Sequence, residues 1–245
     1  MVERRYSQET NTFEVNIVPT AIIIGSSGGL GSALADALER KPGVDVHRLT
    51  RQGHPQIDLT DESTIADVAN HLKAAGCSPD LIIVASGLLH RDGKGPEKSL
   101  NEIDADWMIE NFKVNAVGPA LIAKHFLPLM PRDRRTCFAA LSARVGSISD
   151  NKLGGWHSYR ASKAALNMLI RNLAIEWQRK NPQSIVVGLH PGTVETALSA
   201  PFKGNPATER FAPDKAAEQL LTTLEALKPE QSGELIAYDG QMIAP

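Results

Sequence analysis

The sequence predicts one doubly wound α/β domain, a parallel sheet flanked by helices. Three observations carry that expectation. Short apolar, β-branched runs alternate with stretches of helical periodicity, the first run stops at glycine, and no repeat, low-complexity tract or Pro/Ser linker divides the 245 residues. Runs that are apolar throughout suit strands buried on both faces, and their alternation with helices implies parallel strands joined by right-handed crossovers. With 42% hydrophobic and 22% charged residues, the chain is ordinary for a globular protein with one sizeable core. We divide it into an N-terminal extension over residues 1–18, mobile or forming an extra edge element, and one domain over residues 19–245.

"TAIIIG" (Thr20 to Gly25) reads as the first buried strand, and "GLGSALADALER" then places Leu30, Leu34 and Leu38 on one helical stripe. After the breaker "KPG", "VDVHRLT" (Val44 to Thr50) is the second strand. "DESTIADVANHLKAAG" (Asp61 to Gly76) is a helix opened by acidic residues and closed by glycine. "DLIIVASG" (Asp80 to Gly87) is a third strand, and a long amphipathic segment follows from about Asp104 to Met130. "TCFAALSA" (Thr136 to Ala143) is the next strand, before a helix that carries Tyr159 and Lys163 and runs to about Lys180. "SIVVGLHPG" (Ser184 to Gly192), a helix over Pro213–Leu227 and a last strand in "GELIAYDG" complete the order.

Composition excludes several classes. A formal net charge of −2 offers no basic field for nucleic acid or an anionic membrane, and the run Arg132–Arg135 reads as a solvated loop. Cys77 and Cys137 form no Cys-x-x-Cys pair and the seven histidines no metal-ligand spacing, so neither a disulfide framework nor a metal site is expected. The polar N-terminus lacks the apolar core of a signal peptide, and no window is apolar enough to span a membrane. The expected setting is a reducing cytoplasm.

In doubly wound sheets ligands bind beyond the carboxyl ends of the strands. There, "GSSGGLG" sets Gly25, Gly29 and Gly31 between the first strand and the first helix. Glycine allows a sharp turn and close approach of backbone to phosphate, and the helix start aims its free N–H groups at a pyrophosphate. At the end of the second strand stand Thr50 and Arg51 with no carboxylate, which favours NADP over NAD because a guanidinium can grip a 2′-phosphate in two places. Two readings stand for Asp58: an acceptor for the adenine amino group, or a cap for the helix beginning near Asp61. Tyr159 and Lys163, four residues apart, share a helix face, where a lysine ammonium would lower the tyrosine pKa and yield a proton donor.

Together these residues resemble the short-chain dehydrogenases/reductases over about Thr20 to Gly240. The glycine motif falls on Gly25, Gly29 and Gly31, with Ile24 where the family often has threonine; "ASG" (Ala85, Ser86, Gly87) stands for its usual Asn-Ala-Gly; and Asn115 matches its helix asparagine. Tyr159 and Lys163 match its Tyr-x-x-x-Lys signature, and "PGTVET" (Pro191 to Thr196) matches the loop that meets the nicotinamide. The resemblance implies a Rossmann-type domain and an NAD(P)-dependent carbonyl reductase or alcohol dehydrogenase. In it Tyr159 gives a proton to the carbonyl oxygen, Lys163 holds the nicotinamide ribose and Asn115 extends a proton relay. It implies cofactor contacts from Ser27, Leu30, Leu59, Gly192, Val194 and Thr196 besides the residues above, and a homodimer or homotetramer.

One residue departs from the pattern. The family's orienting serine, counted back from Gly146, falls on Ala143. Ser142 is the first substitute, then no serine at all, then Ser147. The segment Gly146–Leu166 resembles the subgroup of sniffer-type carbonyl reductases and C-factor-type signalling proteins. That leaves a second class of function, a cofactor-binding regulatory or signalling protein with little turnover. Trp156 and His157 precede the catalytic helix and are expected to line the pocket, with the segments Gly87–Leu100 and Leu198–Phe211 as its walls.

Overall fold

The structure is a computed structural model that describes residues 19–202 and 209–245. The predicted extension 1–18 and residues 203–208 of the predicted wall, with its Gly204 and Pro206, lie outside the described residues.

The strands and helices follow the order predicted from sequence. β1 (Thr20–Ile24), α1 (Gly29–Glu39), β2 (Asp45–Leu49), α2 (Glu62–Ala74) and β3 (Leu81–Val84) form the first half. α3 (Ala105–Phe112) and α4 (Gly118–Phe126) are joined by a π-helical segment, Lys113–Val117. β4 (Thr136–Leu141), α5 (His157–Gln178), β5 (Ser184–His190), the short strands β6 (Thr193–Val194) and β7 (Arg210–Phe211), α6 (Pro213–Ala226), β8 (Leu235–Ala237) and β9 (Met242–Ile243) complete it. Asp61 is the cap of α2, its side chain accepting from the Ser63 N–H at 3.0 Å. Asp58 therefore is not that cap; its Oδ1 accepts from the Thr60 N–H at 2.8 Å, closing a local turn instead.

The main sheet has seven strands in the order β2-β1-β3-β4-β5-β8-β9. Neighbours pair in parallel from β2 to β8, but β9 runs antiparallel to β8, so the expectation of a wholly parallel sheet is corrected at one edge. The hairpin is possible because only a few residues around Asp239 and Gly240 separate β8 from β9, and Gly240 takes φ +82° there.

Side chains alternate between faces along each strand. Ile22, Ile24, Phe138, Ala140 and Val186 pack against α2, α4 and α5, whereas Ala21, Ile23, Ala139, Ile185 and Val187 pack against α1 and α6. Ile22, Ile23 and Ile24 are fully buried, each contributing about 1.5–3 kcal/mol relative to exposure. The placement of α6 has a topological consequence. The connections through α5 and α6 both advance the sheet one strand in the same direction, yet lie on opposite faces. They therefore have opposite hands, and the α6 connection departs from the right-handed crossover expected of every unit.

All the strand ends that carry candidate residues reach one edge of the sheet. Gly25, Arg51, Ala85–Gly87, Ser142 and Pro191 share the rim of a single cleft of about 590 Å³.

Candidate active site

The cleft is built first from glycine. Gly25 has φ +86°, and a Cβ there would collide with the Ser86 hydroxyl. A Cβ on Gly31 would collide with the Gly25 carbonyl, so the turn and the first turn of α1 touch backbone to backbone. A Cβ on Gly29 would meet the Thr196 methyl at 3.0 Å, which brings the helix start against the loop after β5. No side chain caps α1 and no acidic residue stands in its first turn. Its free N–H groups and positive dipole end thus face the cleft uncompensated, as binding of a pyrophosphate requires. Ser27 and Leu30 also line this part.

Next to the cradle, the end of β2 supplies Arg51, exposed on the rim and without an ion-pair partner among the described residues. Arg48, the next-to-last residue of β2, differs: it pairs with Asp36 and Glu39 on α1, which hold it charged, while it pulls both carboxyls below their ordinary pKa. Arg51 is the guanidinium left for a ligand. Asp58 and Leu59 line the same end. Leu59 also wedges against Gly118, where a Cβ would lie 2.7 Å from that of Leu59.

Ala85, Ser86 and Gly87 floor the cleft's middle, between the glycine turn and α5. Asn115 lies behind them, fully buried at the centre of the π-helical segment. Its Oδ1 accepts from the Leu88 N–H at 2.8 Å, and its Nδ2 donates to the Leu88 carbonyl at 2.8 Å and to Ser162 Oγ at 3.1 Å. The asparagine thus clamps the backbone just beyond β3 to α5 and does not itself line the cleft. A π turn is a rare device concentrated at functional sites.

Tyr159 and Lys163 sit on the buried, cleft-facing side of α5. The Tyr159 hydroxyl has no hydrogen-bond partner among the described residues, and the Lys163 ammonium lies 5.7 Å from the centre of its ring. Lys163 Nζ donates to the Leu141 carbonyl at 2.7 Å, which ties α5 to the end of β4. Gly146 permits this approach, since a Cβ on it would lie 2.8 Å from that of Lys163. Burial dominates both titrations: it pushes the Tyr159 phenol up to about 12 and the Lys163 ammonium down to about 7. The sequence expected the lysine to lower the tyrosine pKa. That is corrected here, because desolvation penalises each charged form more than the pair rewards it.

The serine question has a geometric answer. Ser142 lines the cleft, but its hydroxyl donates to Asn167 Oδ1 on α5 at 2.7 Å. Ser147 is buried with its hydroxyl accepting from the Asp150 N–H at 3.1 Å, outside the cleft lining. Ala143 holds the cleft-lining place between them. Neighbouring residues at a strand end point to opposite sides, so Ser142 turns toward α5 while Ala143 turns to the cleft. The first-ranked substitute is thereby engaged elsewhere.

Beyond Tyr159 the cleft is closed by Leu89, Arg91, Trp156, Leu198 and Phe202, and on its β5 side by His190, Pro191, Gly192, Thr193, Val194 and Thr196. Gly192 has φ +74° and no room for a Cβ against the Phe211 and Tyr238 rings. Trp156 packs at 6.2 Å from Tyr159 and 5.3 Å from Phe202, centre to centre. His157, expected beside it, is not among the lining residues, because it begins α5 and the helix turns it away. His190 was missed from sequence. It ends β5 with Nδ1 buried and without a hydrogen-bond partner among the described residues, and burial pushes its pKa down to about 4, so it is neutral in the fold. Its signal, a histidine at a strand end, is too common to single out.

Comparison with known proteins finds relatives of the same fold and family. A family model described as enoyl-(acyl carrier protein) reductase, of the short-chain dehydrogenase/reductase type, matches residues 28–238. The chain is 27% identical over 234 residues to 1-hydroxy-2-glutathionyl-2-methyl-3-butene dehydrogenase of a Rhodococcus species, covering 91% of this chain and 98% of that one. Among solved structures, the carbonyl reductase Sniffer of D. melanogaster superposes with TM-score 0.79 at 21% identity, covering 93% of this chain and 99% of that one. An NADPH-bound carbonyl reductase from chicken fatty liver superposes with TM-score 0.79 at 23% identity over the same shares.

Proposed function

The chain belongs to the short-chain dehydrogenase/reductase family, and we propose that within it the protein is an NADP-preferring carbonyl reductase, running as an alcohol dehydrogenase in the reverse direction. The observation that carries this reading is the unpartnered Tyr159 phenol beside Lys163, between a phosphate cradle and an apolar wall.

The residues fit a nicotinamide dinucleotide. The cradle at Gly25, Gly29 and Gly31 leaves no room for side chains, Arg51 has no carboxylate partner among the described residues, and the cleft continues past Ala85–Gly87 to Tyr159. Gly25, Ser27, Gly29, Leu30 and Gly31 would hold the pyrophosphate, Arg51 the 2′-phosphate, and Asp58 and Leu59 the adenine end. Lys163, Pro191, Gly192, Val194 and Thr196 would hold the nicotinamide end. The chemistry a bound cofactor supplies at that place is hydride transfer. The NADPH in the chicken carbonyl reductase supports the same choice.

Tyr159 is the proton donor. With its pKa pushed up to about 12, the phenol keeps its proton at neutral pH and is ready to give it to a carbonyl oxygen as negative charge develops there. Lys163, at about 7, is near its midpoint at neutral pH, so it switches between cation and neutral amine at little cost. Asn115 and Ser142 act through position: one holds Leu88, the other Asn167, and both brace α5. With Ala143 in the cleft, the carbonyl lacks the serine bond usual in this family.

The same reading includes a homodimer or homotetramer in the cytoplasm. Ile109, Val117, Met168 and Ile175 are exposed on α3, the π-helical segment and α5, an apolar surface suited to a second copy. Among the described residues no helix is long and apolar enough to cross a membrane.

Separate titrations with NADPH and NADH, followed by an aldehyde and ketone screen read by loss of nicotinamide absorbance, test the proposal. Turnover that Tyr159→Phe lowers by about 10²–10⁴-fold supports it. Cofactor binding with no turnover across the panel would instead favour a regulatory protein.

A further inference from the structure

Just before α5 the backbone takes an uncommon path. Gly154, Gly155 and Trp156 adopt consecutive left-handed conformations, at φ +65°, +63° and +53°. Glycine does this freely. A bulky aromatic residue does so only where its surroundings over-determine it, and such outliers cluster at functional sites.

The surroundings here are one residue, Glu97, from the loop after β3. Its carbonyl accepts from the Trp156 N–H at 2.5 Å. Its carboxylate, only 3% exposed, accepts from the Ser158 N–H at 3.1 Å and from the Ser158 hydroxyl. A Cβ on Gly155 would meet the Glu97 carbonyl at 3.3 Å, so the approach also needs a glycine there. Trp156, the N-cap residue, makes no side-chain cap of its own. A foreign carboxylate fills that role, where negative charge at a helix start is favoured.

What the latch positions is a ring. Trp156 stands edge-to-face against Tyr159 at 6.2 Å and 73°, and leans on Phe202 at 5.3 Å. Phe202 is in turn backed by His90 at 5.8 Å. Trp156, Tyr159 and Phe202 all line the cleft, on the side away from the glycine cradle. An aromatic corner beside the proton donor offers flat π surface to whatever carries the reacting oxygen.

We propose that Trp156 is a specificity-determining residue that favours carbonyl compounds bearing a flat aromatic group, and that Glu97 is the positioning residue that latches Trp156 beside the Tyr159 phenol. This rests on the carbonyl-reductase reading given above.

The test compares benzaldehyde with cyclohexanecarbaldehyde, matched in size but not in π surface, by NADPH-dependent kcat/KM. Asparagine tolerates the left-handed region, so Trp156→Asn removes the ring without new strain. It is expected to lower the benzaldehyde preference roughly 2- to 12-fold, through KM, with NADPH affinity unchanged; Trp156→Phe keeps most of it. Glu97→Ala is expected to lower the same ratio, and Glu97→Gln, which retains an acceptor, to restore much of it. If Glu97→Ala fails to fold, Ser158→Ala removes one latch bond and is expected to lower the ratio part of the way. An unchanged ratio in Trp156→Asn overturns the role of the ring, and an unchanged ratio in folded Glu97→Ala, or in Ser158→Ala where that variant does not fold, overturns the latch. A wild-type protein that turns over neither these aldehydes nor any member of the wider aldehyde and ketone panel defeats the reductase reading alone. Tryptophan-emission titration with benzyl alcohol and cyclohexylmethanol then decides the wall: tighter, Trp156-dependent binding of the aromatic alcohol upholds it, and equal binding overturns it.

Discussion

Replacing Lys163 by methionine is expected to stabilise the fold at neutral pH while removing turnover. Burial lowers the lysine pKa from 10.5 to about 7. Each tenfold step is about 1.4 kcal/mol, so the charged form is disfavoured by about 5 kcal/mol more in the folded chain than in the unfolded one. The sign follows from proton counting. Between pH 7 and 10.5 the unfolded chain binds the Lys163 proton and the folded chain largely does not, so stability rises with pH across that window. Below it both states are protonated and the full penalty is present. At pH 7 Lys163→Met escapes most of the roughly 5 kcal/mol, but leaves the Leu141 carbonyl without its 2.7 Å donor, at a cost of about 1–3 kcal/mol. The variant is therefore more stable than wild type by about 1–3 kcal/mol at pH 7, an advantage that vanishes toward pH 10. Urea unfolding of both proteins at intervals from pH 6 to 10, followed by circular dichroism, measures the difference. A stability gap that stays constant across that range refutes the reasoning, since a group that titrates alike in both states cannot tilt the curve.

Further outcomes follow from the same geometry. Because Tyr159 is pushed up to about 12, the unfolded chain loses the phenolic proton first, so wild-type stability falls between pH 10 and 12, and Tyr159→Phe lacks that fall when the unfolding series is extended to pH 12. Ala143→Ser is expected to raise kcat, since one oriented donor to a developing oxyanion is typically worth about 10²–10³-fold. Ser142→Ala is expected to leave kcat nearly unchanged and lower the melting temperature, its hydroxyl being spent on Asn167. Arg51→Ala is expected to weaken NADPH binding by roughly 10- to 150-fold and leave NADH binding unaffected, a contrast that isothermal titration measures directly. Gly31→Ala is expected to abolish binding of both dinucleotides, because its Cβ strikes the Gly25 carbonyl.

The order of elements was legible because the central strands, buried on both faces, leave unbroken apolar runs, as in "AIIIG", while the helices show their own period. Tyr159 and Lys163 were legible because a helix converts a four-residue spacing into a shared face without help from the rest of the chain. The glycine turn was legible from its place between a strand and a helix, although only the fold shows what each glycine meets: Gly31 the nearby Gly25 carbonyl, and Gly25 the distant Ser86. Local rules thus placed the glycine turn and the Tyr159–Lys163 face before the fold was seen. Other features depend on which segments meet. The direction of Ser142 depends on Asn167 facing it across the α5 packing, and the opposite hand of the α6 connection on which sheet face α6 covers. The pKa values depend on how much protein surrounds each group, which no spacing encodes: Lys163 alone in sequence looks like a cation, and burial brings it to the midpoint of its titration near neutral pH. Glu97 lies 61 residues from Ser158, in a stretch read from sequence only as a pocket wall, and only folding makes it a buried cap. The sequence by itself determined the elements and the local motifs, because those rest on contacts within a turn or two of chain. Only the tertiary structure decided the charge states, the serine and the aromatic wall, because each rests on partners and desolvation supplied by segments distant along the chain.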